Sequence, residues 1–167
     1  MHSATDLLRK LNYKNQQNIL CLDMPVLFGD LSAALAETGV VQTNVPTNKT
    51  IDFALVFVTS SMQVETIISR LFQTLGEDAV LWFCYPKSTT KNNTFSINRD
   101  HGWESLGSYG LEPVRQVALD PGWSALRFRK VGFIRSMKRS EHMALSDEAK
   151  ARIGRQKAEQ KNKFHQE

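Results

Sequence analysis

Most of the side chains that could do chemistry lie in one long polar loop, residues 86–103. The loop follows a continuous apolar run, residues 79–85, which is typical of a buried strand. In an open α/β sheet, ligands bind beyond the carboxyl ends of the strands, and this loop leaves such an end. Its candidate ligand-binding residues are Lys87, Ser88, Lys91, Asn98, Arg99 and Trp103. These residue types predict a site for a small anion.

The chemistry of these side chains explains the prediction. An arginine guanidinium can hold a phosphate or a carboxylate through a bidentate fork, and a lysine ammonium supplies a compact positive charge. Two alternatives stay open. The loop can be a solvated one in which Arg99 and Asp100 pair with each other or cap the next helix. The indole of Trp103 can stack on a ligand, although indoles at the edge of an element more often cover a core.

Several motifs that would identify an enzyme class are absent from the sequence. It contains no G-x-G-x-x-G, no Walker loop, no H-E-x-x-H, no C-x-x-C and no G-x-S-x-G. Dinucleotide, nucleoside-triphosphate, zinc-hydrolase and serine-hydrolase chemistry are therefore disfavoured. The four histidines are scattered along the chain. We expect no metal and no cofactor, and the sequence assigns no catalytic residue.

The cysteines and the longest apolar runs indicate the compartment. Cys21 and Cys84 each lie inside an apolar run, so we expect two small buried hydrophobic residues rather than a disulfide. The longest apolar runs are far shorter than the roughly 18 residues of a membrane span. The first residues lack the apolar core of a signal peptide. We therefore expect a cytoplasmic protein without a membrane contact.

The elements that must position the loop follow an alternating α/β pattern. Residues 51–58 and 79–85 are almost wholly apolar, as in strands covered on both faces of a parallel sheet. Between them, apolar residues recur with helical spacing over 64–75, which predicts a right-handed βαβ unit. A strand at 18–22 and a helix at 26–38 predict a β-α unit before it. The weaker strand at 40–44 is either parallel, after a taut crossover, or an antiparallel edge.

Two further segments complete the predicted domain. Residues 112–119 and 124–131 read as strands joined by a tight Pro-Gly turn, and therefore as a hairpin. The fold class that follows is α/β, a Rossmann-like three-layer sandwich with a mostly parallel sheet closed by a C-terminal antiparallel hairpin. We expect one domain over residues 1–131.

The remaining residues, 132–167, form a basic and polar tail. Residues 1–126 contain 9 Lys and Arg residues and 12 Asp and Glu residues. Residues 127–167 contain 12 Lys and Arg residues and only 5 Asp and Glu residues. The segment Ser146-Asp147-Glu148 can start a helix, but with little apolar surface the tail should be mobile or marginally helical. Deletion of 136–167 should then leave the melting temperature nearly unchanged.

An ordered tail would need a partner to cover it. A second copy of the chain, in a homodimer, or an acidic partner would suit this role. Nucleic acid is an unfavoured partner, because the tail has few aromatic residues for base stacking and offers only non-specific phosphate contacts.

The order of features over residues 51–131 resembles a bacterial family of unknown function, the domain-of-unknown-function family three thousand and fifty-two. The similar pieces are IDFALVFV, VETIISRLFQTLGED, LWFCYPKS, GLEPV and WSALRF. This resemblance implies a small Rossmann-like protein and implies no activity.

The same order also resembles the C-terminal half of Rossmann-type methyltransferases, whose sheet ends with an antiparallel strand. That resemblance implies a glycine-rich loop after the first strand, which receives the methionine part of S-adenosylmethionine. Here the corresponding stretch is CLDMPVLFGD, and its only glycine is Gly29. The departure counts against an active methyltransferase.

Three functional hypotheses follow from these observations. The sequence favours a non-catalytic Rossmann-like binding or interaction module. The first alternative is a small-molecule enzyme, in one form a divergent methyltransferase-like protein, with an anion-binding loop at residues 86–103. The second alternative is a weak nucleic-acid binder that acts through its basic tail.

Overall fold

The computed structural model describes residues 2–87, 96–135 and 144–165, the last three of them as backbone only. In this part of the chain the α-helices are α1 (Ala4–Lys10), α2 (Gly29–Ala36), α3 (Ser61–Leu71), α4 (Glu104–Gly107) and α5 (Asp147–His165). The strands are β1 (Asn18–Leu22), β2 (Val40–Gln42), β3 (Ile51–Phe57), β4 (Leu75–Pro86), β5 (Leu111–Ala118) and β6 (Trp123–Lys130). No helix in these ranges is long and apolar enough to cross a membrane.

The strands form one six-stranded sheet in the order β2-β1-β3-β4-β6-β5. Strands β2, β1, β3 and β4 are mutually parallel, and β6 runs antiparallel to both of its neighbours, β4 and β5. The hairpin therefore inserts its second strand into the sheet and leaves its first strand at the edge. This architecture confirms the predicted fold class, a mostly parallel Rossmann-like sheet closed by an antiparallel hairpin.

The structure settles the direction of the weak second strand. Strand β2 pairs in parallel with β1, and β1 lies between β2 and β3. The chain must therefore cross back over β1 through residues 43–50, which is the taut crossover of the two alternatives. Val45, within this segment, packs against the core and holds the crossover to the domain.

The central βαβ unit forms as its apolar pattern predicted. Strands β3 and β4 are adjacent and parallel, and α3 connects them. Helix α3 begins at the cap formed by Ser60, whose side chain accepts a hydrogen bond from the Gln63 amide. The helix ends at Leu71, a few residues earlier than predicted, because β4 already starts at Leu75.

Helices cover the sheet on two faces. On the first face, α1 and α2 bury Leu7, Leu31 and Leu35 against alternate residues of the strands. On the second face, α3 and α4 bury Val64, Ile68, Leu71 and Leu106 against the other set. The first face is also tied by a buried hydrogen bond, in which the Trp82 indole Nε1 donates to the Leu11 carbonyl at 2.9 Å.

The first turns of α5 pack on the domain, whereas the sequence predicted a mobile or marginally helical tail. Helix α5 begins at the predicted position, directly after Ser146, whose hydroxyl accepts a hydrogen bond from the Ala149 amide. Ala149 and Ile153 are buried against Val131 in a small satellite core. The buried Glu112 carboxylate accepts hydrogen bonds from the amides of residues 145 and 146. The first turns of the helix therefore need no second chain to cover them.

Candidate functional site

A polar concavity opens at the carboxyl edge of the sheet, next to the end of β4. Its volume is about 490 Å³. Strand β4 contributes its last buried side chain, and Lys87 follows directly after the strand. The hairpin contributes one residue from each strand, and the segment before α4 supplies the other four. The lining residues are Tyr85, Lys87, Asn98, Arg99, Asp100, His101, Gln116 and Ser124. The structure thus brings together three of the predicted residues, Lys87, Asn98 and Arg99.

A tight turn over residues 97–103 holds Arg99 at the rim of this concavity. Ile97 anchors the turn because its side chain is fully buried in the core. The Asn98 Oδ1 atom accepts hydrogen bonds from the amides of Asp100 at 2.8 Å and His101 at 3.0 Å. The predicted ligand donor Asn98 therefore uses its carbonyl oxygen to shape the turn.

Trp103 does not line the concavity, so its candidate role as a stacking residue is wrong. Its side chain is 2% exposed and packs against the rings of Phe83, Tyr85 and Phe128. The indole Nε1 donates to the Asn98 carbonyl at 2.8 Å. Trp103 therefore belongs to the core, where it supports both Tyr85 and the turn that carries Arg99. The other two predicted residues, Ser88 and Lys91, lie outside the described residues.

Tyr85 is the buried polar residue that sequence reasoning missed. Its phenolic oxygen accepts a hydrogen bond from the Gln116 Nε2 atom at 2.9 Å. Burial raises the pKa of Tyr85, and this effect outweighs the neighbouring Ser124 hydroxyl and the positive charge of Arg99, which act in the opposite direction. The phenol is therefore protonated at neutral pH. Because its oxygen already accepts from Gln116, its own O–H can be donated into the concavity.

The two cations of the concavity have no ion-pair partner in the part of the chain that the structure describes. Lys87 and Arg99 take part in neither of the salt bridges found there. Asp100 also lines the concavity and offsets part of their positive charge. Two cationic groups and a neutral hydroxyl donor that face one cavity suit an oxyanion.

The carboxyl end of β1 does not fit an adenosyl cofactor in the manner that the methyltransferase resemblance implies. A single 3-10 turn, Val26–Phe28, occupies the place of the glycine-rich loop and leads directly into α2. Gly29 has a helical φ of −56°, and a Cβ atom added to it would have no neighbour within 4 Å. No neighbouring group of the described chain therefore requires a glycine here, and the Val26 and Leu27 side chains are exposed.

The cysteines take no part in the concavity. Cys21 and Cys84 are free and buried in the first-face core, as predicted. Burial raises the pKa of the Cys21 thiol to about 12 and that of Cys84 well above its ordinary value. Both thiols are protonated and packed, so they act as small hydrophobic residues.

Comparison with known proteins gives structural neighbours alone. No protein-family model matches the sequence, and no curated protein matches it. A SAM-dependent methyltransferase from Aquifex aeolicus is similar with a TM-score of 0.56 and 14% sequence identity, over 77% of this chain and 89% of that one. The N-methyltransferase NodS from Bradyrhizobium japonicum WM9 is similar with a TM-score of 0.49 and 16% identity, over 76% and 93% of the two chains.

The Aquifex aeolicus neighbour contradicts the sequence-based preference for a non-catalytic binding or interaction module. At such low identity, the likeness to the Aquifex aeolicus protein establishes a methyltransferase-like fold. This is the fold that the first alternative named, that of a methyltransferase-like protein.

Proposed function

We propose that this protein is a small-molecule enzyme of methyltransferase-like fold, and that its substrate carries a carboxylate or phosphate group bound in the concavity beside β4. One observation carries this proposal: Lys87 and Arg99, which lack ion-pair partners in the described ranges, face the same cavity as the hydroxyl of the buried Tyr85. The cavity lies at the carboxyl edge of the sheet, where ligands bind in open α/β folds.

Each residue has a distinct role in this proposal. Arg99 binds the anionic group through its guanidinium fork, and Lys87 adds a second positive charge from the end of β4. Tyr85 donates its O–H to a substrate oxygen and so stabilises negative charge that develops there during the reaction. Gln116 is a positioning residue, because its hydrogen bond fixes the orientation of the phenol.

S-adenosylmethionine has no assigned residues in this proposal. Its methyl group would supply an electrophile for transfer, but the turn after β1 does not match the loop that receives it. The proposal therefore rests on anion binding alone, and adenosyl compounds form a separate arm of its test.

The test is a binding measurement with defined probes at constant ionic strength. Succinate serves as the dicarboxylate probe and glycerol 3-phosphate as the phosphate ester, each measured by calorimetry and by thermal shift. We expect at least one of them to bind, and Arg99→Ala to weaken that binding about 10- to 100-fold, since a hydrogen bond to a charged group contributes about 1.5–3 kcal/mol. Lys87→Ala should weaken it in the same direction.

Matched controls are available on the surface. Lys49→Ala and Arg70→Ala remove the same charges from exposed positions outside the concavity and should leave binding unchanged. Equal loss in the control variants would show a non-specific charge effect and contradict the proposal. The third outcome concerns S-adenosylmethionine. If it binds both the wild type and Arg99→Ala, and neither succinate nor glycerol 3-phosphate binds, the ligand site lies at another part of the sheet edge.

A further inference from the structure

Three arginines share one face of the β5–β6 hairpin. Arg115 on β5 lies directly opposite Arg127 on β6, so the two side chains leave the sheet on the same face. Arg129 follows two residues later on β6 and therefore points to that face as well. By ordinary sheet geometry, the Cβ atoms of Arg115 and Arg127 are about 5 Å apart. The Cβ atom of Arg129 lies about 7 Å from that of Arg127 along β6.

The positive charge of this arginine cluster is only partly compensated. Arg129 forms a bidentate ion pair with the Asp78 carboxylate. Its Nε atom donates to Oδ1 at 2.8 Å, and its Nη2 atom donates to Oδ2 at 2.7 Å. Arg115 and Arg127 form no ion pair or hydrogen bond within the described ranges. Like charges placed directly opposite each other on a sheet are unfavourable. Asp78 attracts Arg127 electrostatically but is hydrogen-bonded to Arg129, so the opposed pair has no ion-paired anion in the described ranges.

Arg127 is the residue most in need of a partner. Its side chain is half-buried, and its Nε atom is buried with no hydrogen-bond acceptor. Burial, followed by the positive charge of Arg129, lowers the pKa of its guanidinium. A buried donor without an acceptor is unfavourable, and an oxyanion bound over the face of the two strands would satisfy it once the guanidinium turns towards it.

We propose that the arginine cluster is a second anion site, which binds a phosphate or pyrophosphate group of a small phosphorylated molecule between Arg115 and Arg127. Two guanidinium forks on opposed strands can bind the oxygens of one such group from both sides. This site goes beyond the proposed function because it lies on the opposite face of the sheet from the concavity. Ala125, two residues before Arg127 on β6, packs in the core of the first face, so the arginines lie on that face. Tyr85 of the concavity packs in the core of the second face.

A small molecule fits the cluster better than a nucleic acid does. The aromatic residue paired with Arg127 across the sheet is Trp82, which is fully buried and offers no ring for base stacking. The cluster spans three side chains, enough for one phosphate group and too few for a phosphate backbone.

Inorganic pyrophosphate and inorganic phosphate are the probes of the test, with chloride of matched ionic strength as the reference. We expect pyrophosphate to raise the melting temperature of the full chain and to bind in calorimetry. The exposed variant Arg115→Gln should weaken this binding at least tenfold without disturbing the fold. Arg127→Met should abolish it and, in the absence of anion, melt no lower than the wild type, because it relieves the unpaired buried donor.

Two further variants sharpen the result. Asp78→Asn releases Arg129 from its ion pair and should tighten pyrophosphate binding. Arg70→Gln, an exposed arginine on α3, should leave it unchanged. A melting temperature that pyrophosphate raises no more than chloride does would overturn the proposal.

Other outcomes overturn it in different ways. Loss of pyrophosphate binding in Arg99→Ala, with retention in Arg115→Gln, would assign the phosphate to the concavity. Binding of a short DNA duplex that depends on Arg127, without binding of pyrophosphate, would make the cluster a nucleic-acid contact. Failure of the concavity test with success here would refute only the proposed function, since the two sites share no residue.

Discussion

At the scale of single residues, burial decides what the ionisable side chains can do. Cys21 and Cys84 have raised pKa values in the folded state because their thiolates would lose hydration. In the unfolded chain the pKa of a cysteine thiol is near its ordinary value of 9.0. The folded state therefore binds these protons more tightly than the unfolded state does. The stability that follows is fully present below pH 9 and is lost as the pH rises towards about 12.

This linkage predicts a measurable pH dependence. The free energy of unfolding should be measured with denaturant at pH 8 and at pH 10. Between these two pH values the wild type should lose about 1 kcal/mol of stability per thiol more than the double variant Cys21→Ala, Cys84→Ala loses. The cavities left by alanine lower stability equally at both pH values, so the difference between the two pH values isolates the thiols. An identical pH response in the two proteins would refute the assigned burial.

Two glycines make a matched residue-scale comparison. Gly102 has a φ of +103°, and a Cβ there would lie 2.9 Å from the Ile97 Cγ1 atom. Gly29 is helical and has open space around it. We expect Gly102→Ala to lower the stability of the fold by about 1–3 kcal/mol and to weaken anion binding, because it displaces Arg99.

Gly29→Ala should stabilise the fold by about 0.5–1 kcal/mol. Chemical denaturation measures both variants. A Gly102→Ala protein more stable than the Gly29→Ala protein would contradict the geometry of the turn.

At the scale of elements, α5 divides into a docked part and a free part. Ala149 and Ile153 are buried, whereas residues 157–162 are exposed. The docked part also carries the amides that bind the buried Glu112 carboxylate. Loss of this part would uncover a carboxylate and the apolar surface of Val131 together.

This division predicts different results for two truncations. Removal of residues 156–167 should leave the melting temperature unchanged. Removal of residues 144–167 should lower stability by about 2 kcal/mol or more, the cost of losing one buried isoleucine side chain from a core. The point variant Ile153→Ala should reproduce most of that loss in thermal unfolding. Equal stability of the two truncated proteins would show that the helix is not docked in solution.

At the scale of the whole molecule, the sheet should be most stable at its centre. The central strands β3 and β4 are buried on both faces, whereas β2 has three residues at an edge and Val40 is exposed. Amide hydrogen exchange should therefore be slowest in β3 and in residues 80–85, and fast in β2. Mass spectrometry of peptic fragments measures this order, and protection of β2 equal to that of β3 would contradict it.

The sequence by itself determined the elements and the fold class. Continuous apolar runs and helical spacing depend on neighbours a few residues away, and so they can be read along the chain. For the same reason it located the loop that carries Lys87 and Arg99. It did not predict that Ile153 packs on Val131, because this contact joins residues that are not near each other in the sequence.

Only the tertiary structure decided which side chains meet. Tyr85 and Gln116 are hydrogen-bonded across 31 residues, and Arg115 faces Arg127 through the register of two strands. A shift of that register by one residue would send each side chain to the opposite face of the sheet. Register depends on the packing of the whole core, which no local pattern records. The concavity and the arginine cluster therefore emerge only when the strands are assembled.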